Sequence, residues 1–165
     1  MNDTVRIIIT GGTFDKHYDE LKGMLTFKDS HLPDIIRQSR ITVPVELEIN
    51  QLIDSLDMGD ENRETIVTAC ERAPESRILI THGTDRMAET ARALGQLGLD
   101  KTIVLTGAMV PYSVAGSDAL FNLGSAFTAV QLLAPGVFIV MNGKVFPWDR
   151  VKKNYEQGVF ESADN

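Results

Sequence analysis

Two hydrophobic rhythms alternate along this chain. Short apolar runs occur at Arg6–Thr10, Arg77–Thr81, Thr102–Thr106 and Val137–Met141. Runs this brief and continuous predict strands buried on both faces. A fifth segment, Val45–Ile49, carries a weaker form of the same pattern. Between the later strands the spacing changes to three or four residues. Ile66, Cys70 and Ala73 mark one helix, Met87, Ala91 and Leu94 a second, and Leu120, Leu123, Phe127 and Val130 a third. Pro33 opens a short helix ending near Ser39, because proline is tolerated in a first turn. From Lys144 onward the periodicity lapses among Pro147, Gly158 and scattered charges, so an ordered but irregular tail is expected.

Strands alternating with helices over short connections require right-handed crossovers. The expected fold class is therefore α/β, a single doubly wound domain whose mainly parallel sheet is covered on both faces. No linker, repeat or low-complexity tract divides the 165 residues, which suffice for a core without disulfide staples. The lone cysteine, Cys70, lies on the apolar side of its helix and reads as core filling.

Composition narrows the functions. The formal net charge of −7 argues against sequence-independent binding to nucleic acid, which needs clustered Lys and Arg. No basic amphipathic segment suits an anionic membrane, and no apolar run is long enough to span one. MNDTVRIIIT reads as a first strand and not as a secretory signal, so a cytoplasmic location is expected. Neither G-x-G-x-x-G nor G-x-x-x-x-G-K-[ST] is present, and no Cys/His cluster has ligand spacing. No metal and no cofactor is expected.

The candidate chemistry follows the strands. In an open parallel sheet, ligands bind beyond the carboxyl ends of the strands. Thr10-Gly11-Gly12-Thr13 follows the first strand, and Asp54-Ser55-Leu56-Asp57-Met58 comes shortly after the Val45 segment. His82-Gly83-Thr84-Asp85 and Gly107-Ala108-Met109 follow the next two, and the last leads through Asn142 and Gly143 towards Lys152 and Lys153. Hydroxyls, a carboxylate and an ammonium thus gather on one rim. A threonine hydroxyl is a weak nucleophile that needs a base or proton relay. A second threonine beside a carboxylate, within reach of a lysine, forms such a relay. Thr84 or Asp85 also suits the N-terminus of the helix that follows, and capping is compatible with facing a ligand.

These segments resemble the bacterial-type L-asparaginase family. TGGTF (Thr10–Phe14) and THGTD (Thr81–Asp85) match its two signatures. GAMVP (Gly107–Pro111) is similar to its Gly-Ala-Met-Arg-Pro, SDALFNL (Ser117–Leu123) to its Ser-Ala-Asp-Gly-x-x-Asn-Leu, and GVFIVMNGKV (Gly136–Val145) to the strand and turn that follow. The resemblance covers nearly the whole chain and implies the fold of the family's N-terminal domain. It implies hydrolysis of L-asparagine to L-aspartate and ammonia, with a small-molecule amide as partner. Thr13 then matches the nucleophile. Thr84, Asp85 and Lys153, with Lys152 as the alternative, match the second constellation. Asp85 would hold the substrate's α-ammonium and Ser55 its α-carboxylate, with Gly12, Gly83 and Ala108 also lining the substrate.

The chain departs from that pattern in three ways. Leu56 stands where the family's Gly-Ser-Gln-Asp-Met segment has glutamine, removing a polar substrate contact. Tyr18 is the tyrosine available for the family's lid position, but lies closer to Thr13 than the family's spacing; the charged FDKHYDELKG segment around it reads equally as a solvated loop. His17 there is an acid–base candidate or simply solvated, and His82 is expected to be structural beneath its turn. Third, the resemblance implies a single domain, residues 1–165, without the family's smaller C-terminal domain. A homo-oligomer (dimer or tetramer) is then expected to complete the site, with Val145, Phe146, Trp148, Val159 and Phe160 of the tail as contacts or as packing against the chain's own body. Two other functions fit the same residues: a non-catalytic amino-acid-binding domain, or an amidase for a different small amide.

Overall fold

The computed structural model describes residues 3–164. The chain runs through β1 (Val5–Gly11), a hairpin of β2 (His17–Asp19) and β3 (Met24–Thr26), α1 (Leu32–Gln38) and β4 (Val45–Ile53). Then come α2 (Asp60–Arg72), β5 (Arg77–Thr81), α3 (Met87–Gly95), β6 (Thr102–Thr106), α4 (Ala119–Leu132) and β7 (Gly136–Met141). It closes with β8 (Lys144–Pro147), β9 (Val151–Asn154) and β10 (Val159–Ser162).

The central sheet has the order β4-β1-β5-β6-β7-β8. Its first five strands are parallel and β8 is antiparallel to β7. Both faces are covered, which is why the strand runs show no polar alternation. Ile8, Ile78, Ile80, Ile103 and Leu105 pack with Ile66, Cys70, Met87, Ala91 and Leu94 from α2 and α3. Their neighbours Ile7, Ile9, Leu79 and Val104 point the other way, against Leu32 and Ile35 of α1 and Leu123, Phe127 and Val130 of α4. Cys70 is buried in the first of these cores. Among the described residues no helix is long and apolar enough to cross a membrane.

The order of the strands decides where a ligand can sit. From β1 the chain crosses first to β4 on one side, then back over to β5 on the other. The connections leaving β1 and β5 therefore part in opposite directions and leave a crevice between the two carboxyl ends.

The tail differs from the irregular segment expected. It forms three strands of four residues each, too short to display a period. Asn142 and Gly143 both hold left-handed φ, 56° and 74°, and make the two-residue turn between β7 and β8. Asn-Gly between apolar runs is the sequence signal of such a hairpin. Of the apolar tail residues, Phe146 and Phe160 are buried in the α2/α3-side core and Trp148 packs against it; Val145 is exposed. The FDKHYDELKG segment likewise is a hairpin rather than a loop. Asp19 Oδ1 accepts from the N–H groups of Leu21 and Lys22, both at 3.0 Å, and closes the turn between β2 and β3.

Candidate active site

Three turns meet at the crevice without room for a side chain. Gly12 has φ 71°, and a Cβ there would strike the backbone of Gly83. A Cβ on Gly83 would come within 2.5 Å of Ser55 Oγ. Glycine at both positions lets the turns after β1, β4 and β5 stack directly. Gly12 N–H also donates to Ile53 O at 2.8 Å. The β1–β4 register shifts just there, from Ile9↔Ile49 to Gly11↔Ile53, so β4 bulges before it delivers Asp54 and Ser55.

The second constellation is assembled. Lys153 Nζ donates to Thr84 Oγ1 at 2.7 Å and to Asp85 Oδ1 at 2.8 Å. The lysine side chain is only 9% exposed. Lys152, the alternative, points outward and pairs with Glu161 at 3.5 Å. Alternation along β9 makes the choice between them, since adjacent residues of a strand face opposite sides. Tyr155, which the sequence reading missed, places its ring 4.7 Å from Lys153 Nζ and donates its hydroxyl to Asp85 O at 3.1 Å. Burial, then the neighbouring charge of Asp85, raises the Tyr155 pKa above its usual value.

Lys153 is held from behind. Its partner in the β9–β10 ladder is Phe160, whose N–H donates to Asn142 Oδ1 at 2.8 Å. Asn142 N–H donates to Asn122 Oδ1 at 3.3 Å, and Asn122 Nδ2 to Gly107 O at 3.0 Å. Asp118, at the start of α4, accepts from the N–H groups of Met109 and Val110. Two asparagines, Asn122 and Asn142, thus link the Gly107–Met109 loop to β10, the strand paired with the one that carries the lysine. Asp118 and Asn122 stand one helical turn apart, a spacing visible in SDALFNL. Ala108 is buried in the core, so only its backbone is left to line a substrate.

His82 lies beneath the turn, wholly buried. Its Nδ1 is 2.7 Å from Gly83 O and its Nε2 is 2.8 Å from Thr90 Oγ1. The carbonyl can only accept, which assigns the proton to Nδ1 and leaves Nε2 to accept from the threonine. Burial pushes its pKa down to about 4. A neutral ring supports the turn. Ser55 is also buried, and its Oγ accepts from Arg86 N–H at 3.2 Å, leaving the hydroxyl proton for another partner.

Thr13 opens the one-turn helix Thr13–Asp15, is half-buried, and no described residue hydrogen-bonds its hydroxyl. Tyr18 makes no hydrogen bond to it among the described residues. That side chain is 62% exposed on the hairpin, lining an outer cup with Asp19, Glu20 and Lys22. His17 instead stacks on His31, ring centroids 4.0 Å apart, and pairs with Asp29 at 3.1 Å. Leu56 is 58% exposed beside Ser55. No group of three or more His, Cys, Asp or Glu residues capable of holding a metal occurs among the described residues.

A doubly wound sheet with a Thr–Asp–Lys cluster and a second threonine turn at its switch point defines a class of α/β domain. The family model described as "Asparaginase, N-terminal" matches residues 4–163, and the chain belongs to the asparaginase family. It is 32% identical over 160 residues to the L-asparaginase of Thermococcus kodakarensis, covering 93% of this chain and 48% of that protein. The solved structure of the thermostable L-asparaginase from Thermococcus kodakarensis superposes with a TM-score of 0.85 at 30% identity, covering 96% of this chain and 51% of that one. The human 60 kDa lysophospholipase is 35% identical over 127 residues, 74% of this chain and 22% of its own length. The chain spans about half the length of the Thermococcus protein and 22% of the human one.

Proposed function

We propose that this domain is an L-asparaginase-like amidohydrolase that converts L-asparagine to L-aspartate and ammonia. The observation that carries the reading is Lys153 bridging Thr84 and Asp85 at the switch point, with the Thr13 turn packed against theirs through Gly12 and Gly83. Thr13 Oγ1 attacks the side-chain amide carbon of the substrate, its proton passes to the departing nitrogen, and ammonia leaves. Water then adds to the acyl-enzyme ester, releasing aspartate and returning the proton to Thr13. A lysine ammonium occupies a lone pair of Thr84 Oγ1, so the Thr84 proton is free to orient water or the leaving group. Asp85 keeps Oδ2 for the substrate's α-ammonium, and Ser55 presents its proton to the α-carboxylate.

A second substrate class is favoured by one observation. Leu56 presents an apolar side chain to solvent next to Ser55, where asparagine offers only charged and polar groups. A larger amide with an apolar substituent fits that mouth better. Ammonia release from L-asparagine, measured beside Thr13→Ala, tests the main reading. Turnover that disappears in the variant supports it; turnover that survives removes Thr13 as nucleophile. No turnover by the folded parent rejects asparagine and makes larger amides the next substrates.

A further inference from the structure

Asp15, Lys16 and His17 follow the Thr13 turn as a charged run, and the structure uses all three at the root of the β2–β3 hairpin. Asp15 is buried and accepts from Ser30 Oγ at 3.0 Å and from His31 N–H at 2.9 Å. His17 meets Asp29 and the His31 ring. Lys16 alone reaches out of the hairpin and into the site. Its Nζ donates to Asp54 Oδ2 at 2.6 Å, with 19% of the lysine side chain and 27% of the aspartate exposed. On its other side lies the Phe27 ring, 5.8 Å away at the foot of β3.

Both partners sit inside the turns that matter. Lys16 N–H donates to Thr13 O at 3.2 Å, so the lysine closes the same short turn that presents the Thr13 hydroxyl. Asp54 caps the turn carrying Ser55, its Oδ1 accepting from Leu56 N–H at 3.1 Å. Asp54 O accepts from Asp57 N–H at 2.9 Å. A backbone link between the two turns, Gly12 N–H to Ile53 O at 2.8 Å, lies beside this ion pair. Burial works to raise the Asp54 pKa. The Lys16 hydrogen bond, the Leu56 N–H and the charges of Lys16 and Lys153 outweigh it and hold the carboxyl below its usual value, so Asp54 is ionised at neutral pH.

We propose that the Lys16–Asp54 ion pair is a positioning device, clamping the Thr13 turn to the Ser55 turn so that nucleophile and substrate carboxylate keep one spacing. Neither residue touches the reacting atoms. This inference rests on the reading of Thr13 and Ser55 given above. It accounts for the charge in a segment that otherwise resembles a solvated loop.

The test compares Lys16→Met, Asp54→Asn, the double variant and Lys16→Arg with the parent chain. With L-asparagine, each charge-removing variant should lose about ten- to a hundredfold in kcat, the range expected when a reacting group is displaced by up to an ångström. KM should change less, the double variant should be no worse than either single one, and Lys16→Arg should recover most of the rate. Amide hydrogen exchange supplies a readout that needs no turnover. Exchange at the Gly12 and Lys16 N–H groups should quicken in Lys16→Met, with the Tm changed by only a few degrees. Unchanged exchange there overturns the clamp, as do losses in kcat that multiply in the double variant. An inactive parent whose Lys16→Met variant still exchanges faster would reject the asparaginase reading and leave the clamp standing.

Discussion

Lys153 Nζ lies 2.7 Å from Thr84 Oγ1 across 69 residues of chain. Two elements that share no local sequence signal, a turn after β5 and a four-residue strand near the end, meet there in one charge-assisted hydrogen bond. Asp85 completes the pair, and such bonds to ionised donors are about twice as strong as neutral ones.

Removing the ammonium should therefore separate chemistry from folding. Lys153→Met is expected to lower kcat for amide hydrolysis by about a hundredfold or more, in the range of a lost proton-relay group. The Asp85 side chain keeps 24% of its surface exposed to water, so the Tm should move by only a few degrees. Steady-state ammonia release and thermal denaturation of the same preparation check both halves. A variant that keeps full turnover would remove Lys153 from the mechanism.

His82 should make stability depend on pH. Its folded pKa of about 4 lies below the ordinary 6.5, because burial disfavours the charged ring. The unfolded chain then binds more protons between those values, and stability falls as pH drops from above 6.5 towards 4. The shift corresponds to about 3 kcal/mol. Asp15, its carboxyl raised chiefly by burial, contributes with the opposite sign above its usual pKa. Denaturant midpoints from pH 7 to 4 for the parent and His82→Asn isolate the histidine: the variant should start lower and slope less. An imidazole titrating near 6.5 in the folded chain would contradict the assignment.

Arg6 should matter for stability alone. At the opposite end of β1 from the site, its Nε donates to Glu75 Oε2 at 2.5 Å, and the Glu75 side chain is only 5% exposed. Arg6→Met strands that carboxylate, with an expected loss of about 3 kcal/mol, the scale on which breaking a buried pair is felt. Arg6→Met with Glu75→Gln should recover part of it. Urea unfolding measures both, and kcat should stay within twofold of the parent.

Leu56→Gln tests the mouth of the site. The leucine side chain is mostly exposed, so stability should be unchanged within about 0.5 kcal/mol. A polar contact to a charged substrate group is worth roughly 1.5–3 kcal/mol, and KM for L-asparagine should fall by about tenfold. A KM that rises would show that the leucine itself contacts the substrate, favouring an amide with an apolar substituent.

By itself the sequence determined the long-period features. β1, β5, β6 and β7 are continuous apolar runs because both faces of a parallel sheet are covered, and α2, α3 and α4 announce themselves by the spacing of Ile66, Met87 and Leu123 with their neighbours. It also determined that Thr13, Ser55, Thr84 and Asp85 leave the sheet on one rim, since every parallel strand delivers its loop to the same end. What it left open depended on contacts between distant segments. Lys152 and Lys153 are chemically alike in sequence, and only the pairing of β9 with β10 turns one towards Asp85 and the other to Glu161. Tyr155, Asn122 and Asn142 act through partners far along the chain. The tail and the hairpin hid because strands of three or four residues are too short to carry a period, though Asn142-Gly143 did signal its turn. Lys16 read as solvated charge because a local pattern records only how polar a segment is, whereas a bond to Asp54 exists only once β4 has folded beside β1.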